Sequence, residues 1–201
     1  MAVMAIMSGA GLASCTGESG SDAAKTAAVD SVVKASVSDV VVGNIMARRS
    51  IRKYTEQRVG RDTLERILEC GINAPNGMNQ QNYEIKVVDD PASTAFLSER
   101  LKGLYKAPVY LFIAAGDQYD MSRIDVGLLS ENICLAARAY GLGSINLGMP
   151  VRSMKEQPEL LAKLGFSEHY ELCLIVALGY ADETPEAKPR KREKVQFVTV
   201  E

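Results

Sequence analysis

Asp125-Val126-Gly127-Leu128-Leu129-Ser130-Glu131-Asn132-Ile133-Cys134-Leu135-Ala136-Ala137-Arg138-Ala139-Tyr140-Gly141-Leu142-Gly143-Ser144-Ile145-Asn146-Leu147 decides the fold. As far as Tyr140 the run is apolar nearly all round, as expected of a central helix buried on most sides. Asp125 reads as the cap of that helix rather than as a base. Gly141-Leu142-Gly143 ends it, because glycine reaches left-handed angles at little steric cost. Ser144 to Leu147 then reads as a short strand.

The segments to either side fit this nucleus. Val109 to Ala115 is a continuous apolar run, the pattern of a strand covered on both faces. Tyr83 to Val88 and Leu172 to Gly179 also read as strands. Residues 38–48 have helix-compatible spacing. Asp62 is placed to cap a helix over 63–73, whose Leu64, Ile67, Leu68 and Ile72 share one stripe. Ala74-Pro75-Asn76-Gly77 breaks that helix. Pro91 to Leu101 is a helix opened by proline. Ser153 to Leu164 is another, split by Pro158. Strands and helices alternate without repeat, so the fold class is α+β: a central mixed or antiparallel sheet flanked by helices.

Length and composition set the outer bounds. The 201 residues suit one compact domain and a tail, and 47% apolar residues supply its core. A formal charge of −2 argues against nucleic acid as a partner. His169 is the single histidine, and Cys15, Cys70, Cys134 and Cys173 form no C-x-x-C pair, so no metal centre is expected. Cys70, Cys134 and Cys173 lie among apolar residues and are expected to be buried thiols.

Residues 1–36 differ from the rest and are set apart from the domain over 37–201. Leu12-Ala13-Ser14-Cys15 resembles a bacterial lipobox, and Thr16 to Ser36 is rich in Ser, Ala, Gly and Asp, as a flexible tether is. Lipidation at Cys15 would anchor the protein to a membrane of the cell envelope. The segment lacks a basic start. If it is no working signal, a cytoplasmic location follows.

Four elements carry the chemistry. Arg48, Arg49, Arg52 and Lys53 form one basic cluster, and Arg190, Lys191, Arg192 and Lys194 another. Each alone also reads as a solvated face. Together they offer guanidinium forks that match phosphate oxygens. Pro75-Asn76-Gly77-Met78-Asn79-Gln80-Gln81 lies in a turn, and its amides both donate and accept hydrogen bonds. Gly141 to Gly148 is glycine-rich but follows a helix, so it is not the dinucleotide fingerprint.

In this order the four elements resemble the nitroreductase family of FMN enzymes, over about Val41 to Arg192. The family's Arg-x-Ser-x-Arg/Lys segment is Arg48-Arg49-Ser50-Ile51-Arg52 here. Its Pro-Ser-x-x-Asn-x-Gln-Pro-Trp segment is Pro75-Asn76-Gly77-Met78-Asn79-Gln80-Gln81-Asn82-Tyr83. Its Asp-x-Gly helix ending in Gly-Leu-Gly-Ser is Asp125-Val126-Gly127 through Ser144. Its closing Gly-Tyr and basic pair are Gly179-Tyr180 and Pro189-Arg190-Lys191-Arg192.

The resemblance implies a homodimer with FMN at its interface. Arg48, Arg190 and Arg192 would hold the phosphate, and Arg49 and Ser50 the ribityl chain and phosphate region. Arg52 would lie near N1 and O2 of the ring and tune it. Asn79 and Gln81 would face the ring edge; Pro75, Asn76 and Gly77 would come from the second subunit. The backbone at Leu147 and Gly148 would run near N5. No side chain is expected to act as an acid or base. The implied activity is an FMN-dependent oxidoreductase that passes hydride from NADH or NADPH to a small organic acceptor such as a nitroaromatic, quinone or enone. The alternatives are a non-catalytic FMN-binding protein, and a specialised flavin oxidase or dehalogenase on the same scaffold. The chain departs from the family at Asn82-Tyr83, which replaces Pro-Trp, and at Gly148, where some members carry glutamate. The link from Gly116 to Asp125 is also short, which implies a compact member with an open pocket.

Overall fold

The structure, a computed structural model, describes residues 35–200. The lipobox-like segment ending at Cys15 and the tether up to residue 34 lie outside the described residues. From Ser38 onward the chain forms one compact unit.

Strands β1 (Tyr83–Val88), β2 (Val109–Gly116), β3 (Gly143–Leu147) and β4 (Tyr170–Gly179) make a four-stranded sheet in the order β1-β2-β4-β3. Every pairing among these four strands is antiparallel, which resolves the mixed-or-antiparallel alternative. β2 lies inside the sheet and is buried along its whole length. Its side chains alternate between two cores: Val109, Leu111, Ile113 and Ala115 point into one, Tyr110 and Phe112 into the other. That division is why no polar residue interrupts the run.

The first core is closed by α2 (Arg61–Ile72) and α4 (Ser122–Ala139), through Leu64, Ile67, Val126, Leu129, Ile133 and Ala137. The second is closed by α3 (Pro91–Arg100), α5 (Met149–Lys155) and α6 (Pro158–Ala162), through Leu97, Val151, Met154 and Leu160. A register shift between Ile113 and Ala114 leaves Cys173 of β4 without a partner in β2. A bulge of this kind reverses side-chain alternation. Leu172 and Ile175 consequently face the same core, although three positions separate them.

Several expectations are corrected. α2 starts at Arg61 with Gly60 as its N-cap; Asp62 makes no cap bond and lies in the first turn. There its charge still suits the positive helix end. Ile72, assigned to the buried stripe, is exposed. Cys70 is exposed as well, because apolar neighbours in sequence occupy other faces of a helix. α5 begins at Met149, directly after β3, well before the expected Ser153. α4 is not buried all round: Ile124 and Leu128 are 54% and 43% exposed on the side away from the sheet. α1 (Val37–Ala47) likewise leaves Val40, Val41 and Ile45 exposed.

Candidate functional site

Most of the predicted residues fall into two groups at opposite ends of α4. The first is built where the chain entering from α1 lies against the β3 edge of the sheet. Ser50 forms a parallel bridge with Ser144, and the Ile51 N–H donates to the Ser144 carbonyl at 3.0 Å. Gly143 permits this approach, since a Cβ there would come within 2.6 Å of the Ile51 side chain. Farther along, Tyr54 bridges to Ala181, and the Asp182 N–H donates to the Lys53 carbonyl at 2.9 Å. The Glu183 carboxylate accepts the backbone N–H groups of Arg52 and Lys53. The Tyr54 hydroxyl donates to the Ile51 carbonyl at 2.8 Å, and burial pushes its pKa far up, so it remains a proton donor in that bond.

These pairings leave a cavity of about 290 Å³ lined by Arg48, Arg49, Ile51, Arg138, Gly141 to Ser144, and residues 181 and 183–185. The Arg48 Nε lies 3.3 Å from the Glu131 carboxylate of α4. Arg49 Nη1 donates to the Met46 and Arg48 carbonyls, each at 2.8 Å, which folds its side chain back on the turn. Arg52 is exposed; its Nη1 donates to the Ser50 carbonyl at 3.2 Å and its guanidinium lies 5.9 Å from the centre of the Tyr105 ring. Cys134 is buried below, and burial pushes its thiol up to about 11, which keeps it neutral.

The second group is the loop over residues 75–82, next to the start of α4. Met78, Asn79 and Gln81 all have positive φ, at 52°, 55° and 50°. Left-handed backbone without glycine stores strain, and such residues cluster at functional sites. The loop is held from beneath. The Asp125 carboxylate accepts the Gly77 N–H at 3.2 Å. The Asn76 side-chain oxygen accepts the Gln81 N–H at 2.9 Å, and Asn82 Nδ2 donates to Ser122 Oγ at 2.8 Å. Asn79 and Gln81 are exposed.

Leu147 ends β3, and exposed Gly148 leads into α5 with open space around its Cα. Arg190 and Arg192 stand on an exposed C-terminal segment, where Arg190 Nη1 donates to the Lys188 carbonyl. Among the described residues they form no hydrogen bond or ion pair with the 48–52 segment. The chain therefore assembles the arginine cavity and the amide loop, but brings neither the loop nor the C-terminal arginines to that cavity. From Asp125 to Arg138 is thirteen residues, or about 20 Å along the helix axis.

Three residues of this arrangement escape sequence reasoning. Asp125 is a clamp on the loop, not a helix cap; Met121 occupies the cap position. The available signal was an acid among residues at core spacing, since a buried carboxylate needs a partner. Glu183 and Arg138 acquire meaning only when the chain returns after β4, and no local pattern marks them.

Residues 41–201 match the family model described as "Putative TM nitroreductase". A protein of Archaeoglobus fulgidus named "Putative NADH dehydrogenase/NAD(P)H nitroreductase" is 34% identical over 146 residues, 68% of this chain and 82% of that one. An "FMN reductase [NAD(P)H]" of Bacillus subtilis is 26% identical, over 75% of this chain and 69% of its own length. Among solved structures, a nitroreductase with bound FMN from Bacteroides fragilis superposes with a TM-score of 0.71 at 26% identity, covering 79% of this chain and 98% of that one.

Proposed function

Because the chain belongs to the nitroreductase family, we propose that it is a homodimeric FMN-dependent oxidoreductase that uses NADH or NADPH to reduce a small organic acceptor. The observation that carries this reading is the pair of half-sites at the two ends of α4, with uncovered apolar residues between them. A second copy packed antiparallel along the outer side of α4, with the two-fold axis near the middle of the helix and Leu128 in the contact, would set the amide loop of one chain against the arginine cavity of the other. Isologous contacts of this kind use the same patch on both subunits. Exposed Phe197, Val198 and Val200 add apolar surface that the second copy would cover.

The donors present fit a phosphorylated flavin. Arg48, Arg49 and Ser50 from one segment, with Arg190 and Arg192, would hold the phosphate and ribityl chain through charge-assisted hydrogen bonds. Asn79 and Gln81 offer amides to the ring edge, and Pro75, Asn76 and Gly77 would arrive from the second copy. When bound, FMN supplies the hydride chemistry at N5, and the protein positions and tunes it. The exposed Arg52 guanidinium would stabilise negative charge on the pyrimidine side of the ring. Gly148 and the backbone of Leu147 leave that side of the site without an acidic group, so protons would come from water.

The test is a visible spectrum of purified protein with and without NADH under anaerobic conditions. Flavin absorbance that bleaches on NADH addition supports the reading. A colourless protein that does not retain added FMN overturns it; a yellow protein that neither NADH nor NADPH bleaches replaces it with a flavin carrier. The lipobox-like Cys15 extends the proposal to a lipid-anchored enzyme. Cys15→Ser should then move the protein from the detergent phase to the aqueous phase on cloud-point partition, and an aqueous wild type would remove the anchor.

A further inference from the structure

We infer that Arg138 is a phosphate-binding residue that nothing in the motif pattern assigns, and that it holds the terminal phosphate of the flavin inside the cavity beside Arg48 and Arg49. The inference rests on the FMN reading above. It begins from an unsatisfied group: the Nε of Arg138 is buried and has no hydrogen-bond partner. Buried donors are almost always paired, so an orphan points to a group that completes it.

A role as a helix cap does not account for it. Basic residues at a helix end commonly bond the last carbonyls. Here those carbonyls are already taken: Tyr140 N–H donates to the Ala136 oxygen, Leu142 N–H to the Ala137 oxygen and Gly141 N–H to the Arg138 oxygen. The chain itself closes the helix, and Arg138 lines the cavity beyond it.

The charge of that cavity favours an anion. Three arginines line it, Arg48, Arg49 and Arg138. Glu183 is its one acidic lining residue, and its carboxylate is committed to the backbone N–H groups of Arg52 and Lys53. Glu131 meets Arg48 through Nε, which leaves the two terminal nitrogens of Arg48 for a ligand. A phosphate monoester carries close to two negative charges and three strong acceptor oxygens, so it can satisfy several guanidinium groups at once. At about 290 Å³ the cavity also has room for part of the chain that bears the phosphate. NADPH carries a phosphate monoester too. Arg48 and Arg49, which would hold the flavin phosphate and chain, line the same cavity, and this favours FMN.

The experiment compares FMN with riboflavin, which lacks the phosphate, by fluorescence titration of flavin-free full-length protein. Arg138→Ala should weaken FMN binding by about tenfold or more and change riboflavin binding by less than about twofold. Arg138→Lys should recover part of the loss. Circular dichroism melts of the flavin-free proteins separate a folding defect from a binding defect, and Arg138→Gln replaces the alanine variant if that one fails to fold. Arg48→Ala is the reference. If it abolishes the preference for FMN over riboflavin and Arg138→Ala does not, the Arg138 assignment falls while the FMN reading stands. If the wild type prefers neither flavin, the FMN reading itself falls. If Arg138→Ala raises KM for NADPH but not for NADH, with flavin preference intact, the phosphate belongs to the nicotinamide and the assignment is overturned.

Discussion

The carboxylate of Asp125, 5% exposed in the first turn of the central helix, accepts the backbone N–H of Gly77 at 3.2 Å. This bond ties the start of α4 to the loop that carries Asn79 and Gln81. Replacing Asp125 with alanine would leave that N–H without its acceptor, a loss of about 1–3 kcal/mol. Asp125→Ala should therefore lower the melting temperature and weaken flavin binding together, and Asp125→Asn should be milder. Unchanged flavin affinity in the alanine variant would show that the loop keeps its shape without the clamp.

The uncovered side of α4 gives a test of assembly. Leu128→Glu puts a charge at the centre of the proposed contact, where an unpaired buried charge is strongly unfavourable. The variant should sediment as a monomer, keep its melting cooperativity and lose FMN. A dimeric Leu128→Glu protein that retains flavin would place the interface elsewhere.

Close packing at the β3 edge makes Gly143 sensitive to the smallest addition. A methyl group there would lie 2.6 Å from Ile51 Cγ1 and 2.9 Å from its Cβ. Overpacking of this kind costs about 1–3 kcal/mol. Gly143→Ala should be destabilising by that amount in urea unfolding. Combined with Ile51→Ala, the loss should be smaller than the sum of the two single variants, since they share one contact.

Cys134 predicts an alkaline limit. Its thiol is raised from an ordinary value near 9 to about 11 by burial. A pKa raised in the folded state means the folded protein holds the proton more tightly than the unfolded chain. The associated stability is complete below pH 9 and is lost as pH rises through 11. Urea midpoints measured across that window should fall less in Cys134→Ala than in the wild type. In native protein at neutral pH, iodoacetamide should label exposed Cys70 and leave Cys134 untouched.

The sequence was most informative where local pattern and final environment agree. Tyr83 to Val88 is a strand at its expected bounds, and Val109 to Ala115 is buried on both faces as its composition required. The four family segments were legible because each joins a turn or helix end to particular polar side chains. What remained hidden depends on partners distant along the chain. Leu128 looks like a core residue, because an apolar side chain left at the surface follows the same helical period as one bound for the interior. Cys70 sits among apolar neighbours, yet the 3.6-residue turn of α2 carries it to the surface. Arg138 is one arginine among alanines until residues 181 and 183–185 join it around one cavity.

Met78, Asn79 and Gln81 keep left-handed backbone while retaining their side chains. Glycine at any of them would relax the main chain but delete an amide or a wall of the loop. The ordering of this segment is completed when the polypeptide folds, with Asp125 and Asn76 holding it in place. A planar ring arriving at the loop would thus meet a main chain already in place. Little motional freedom is then left to lose on capture, and tight retention of cofactor should follow from slow escape rather than fast entry.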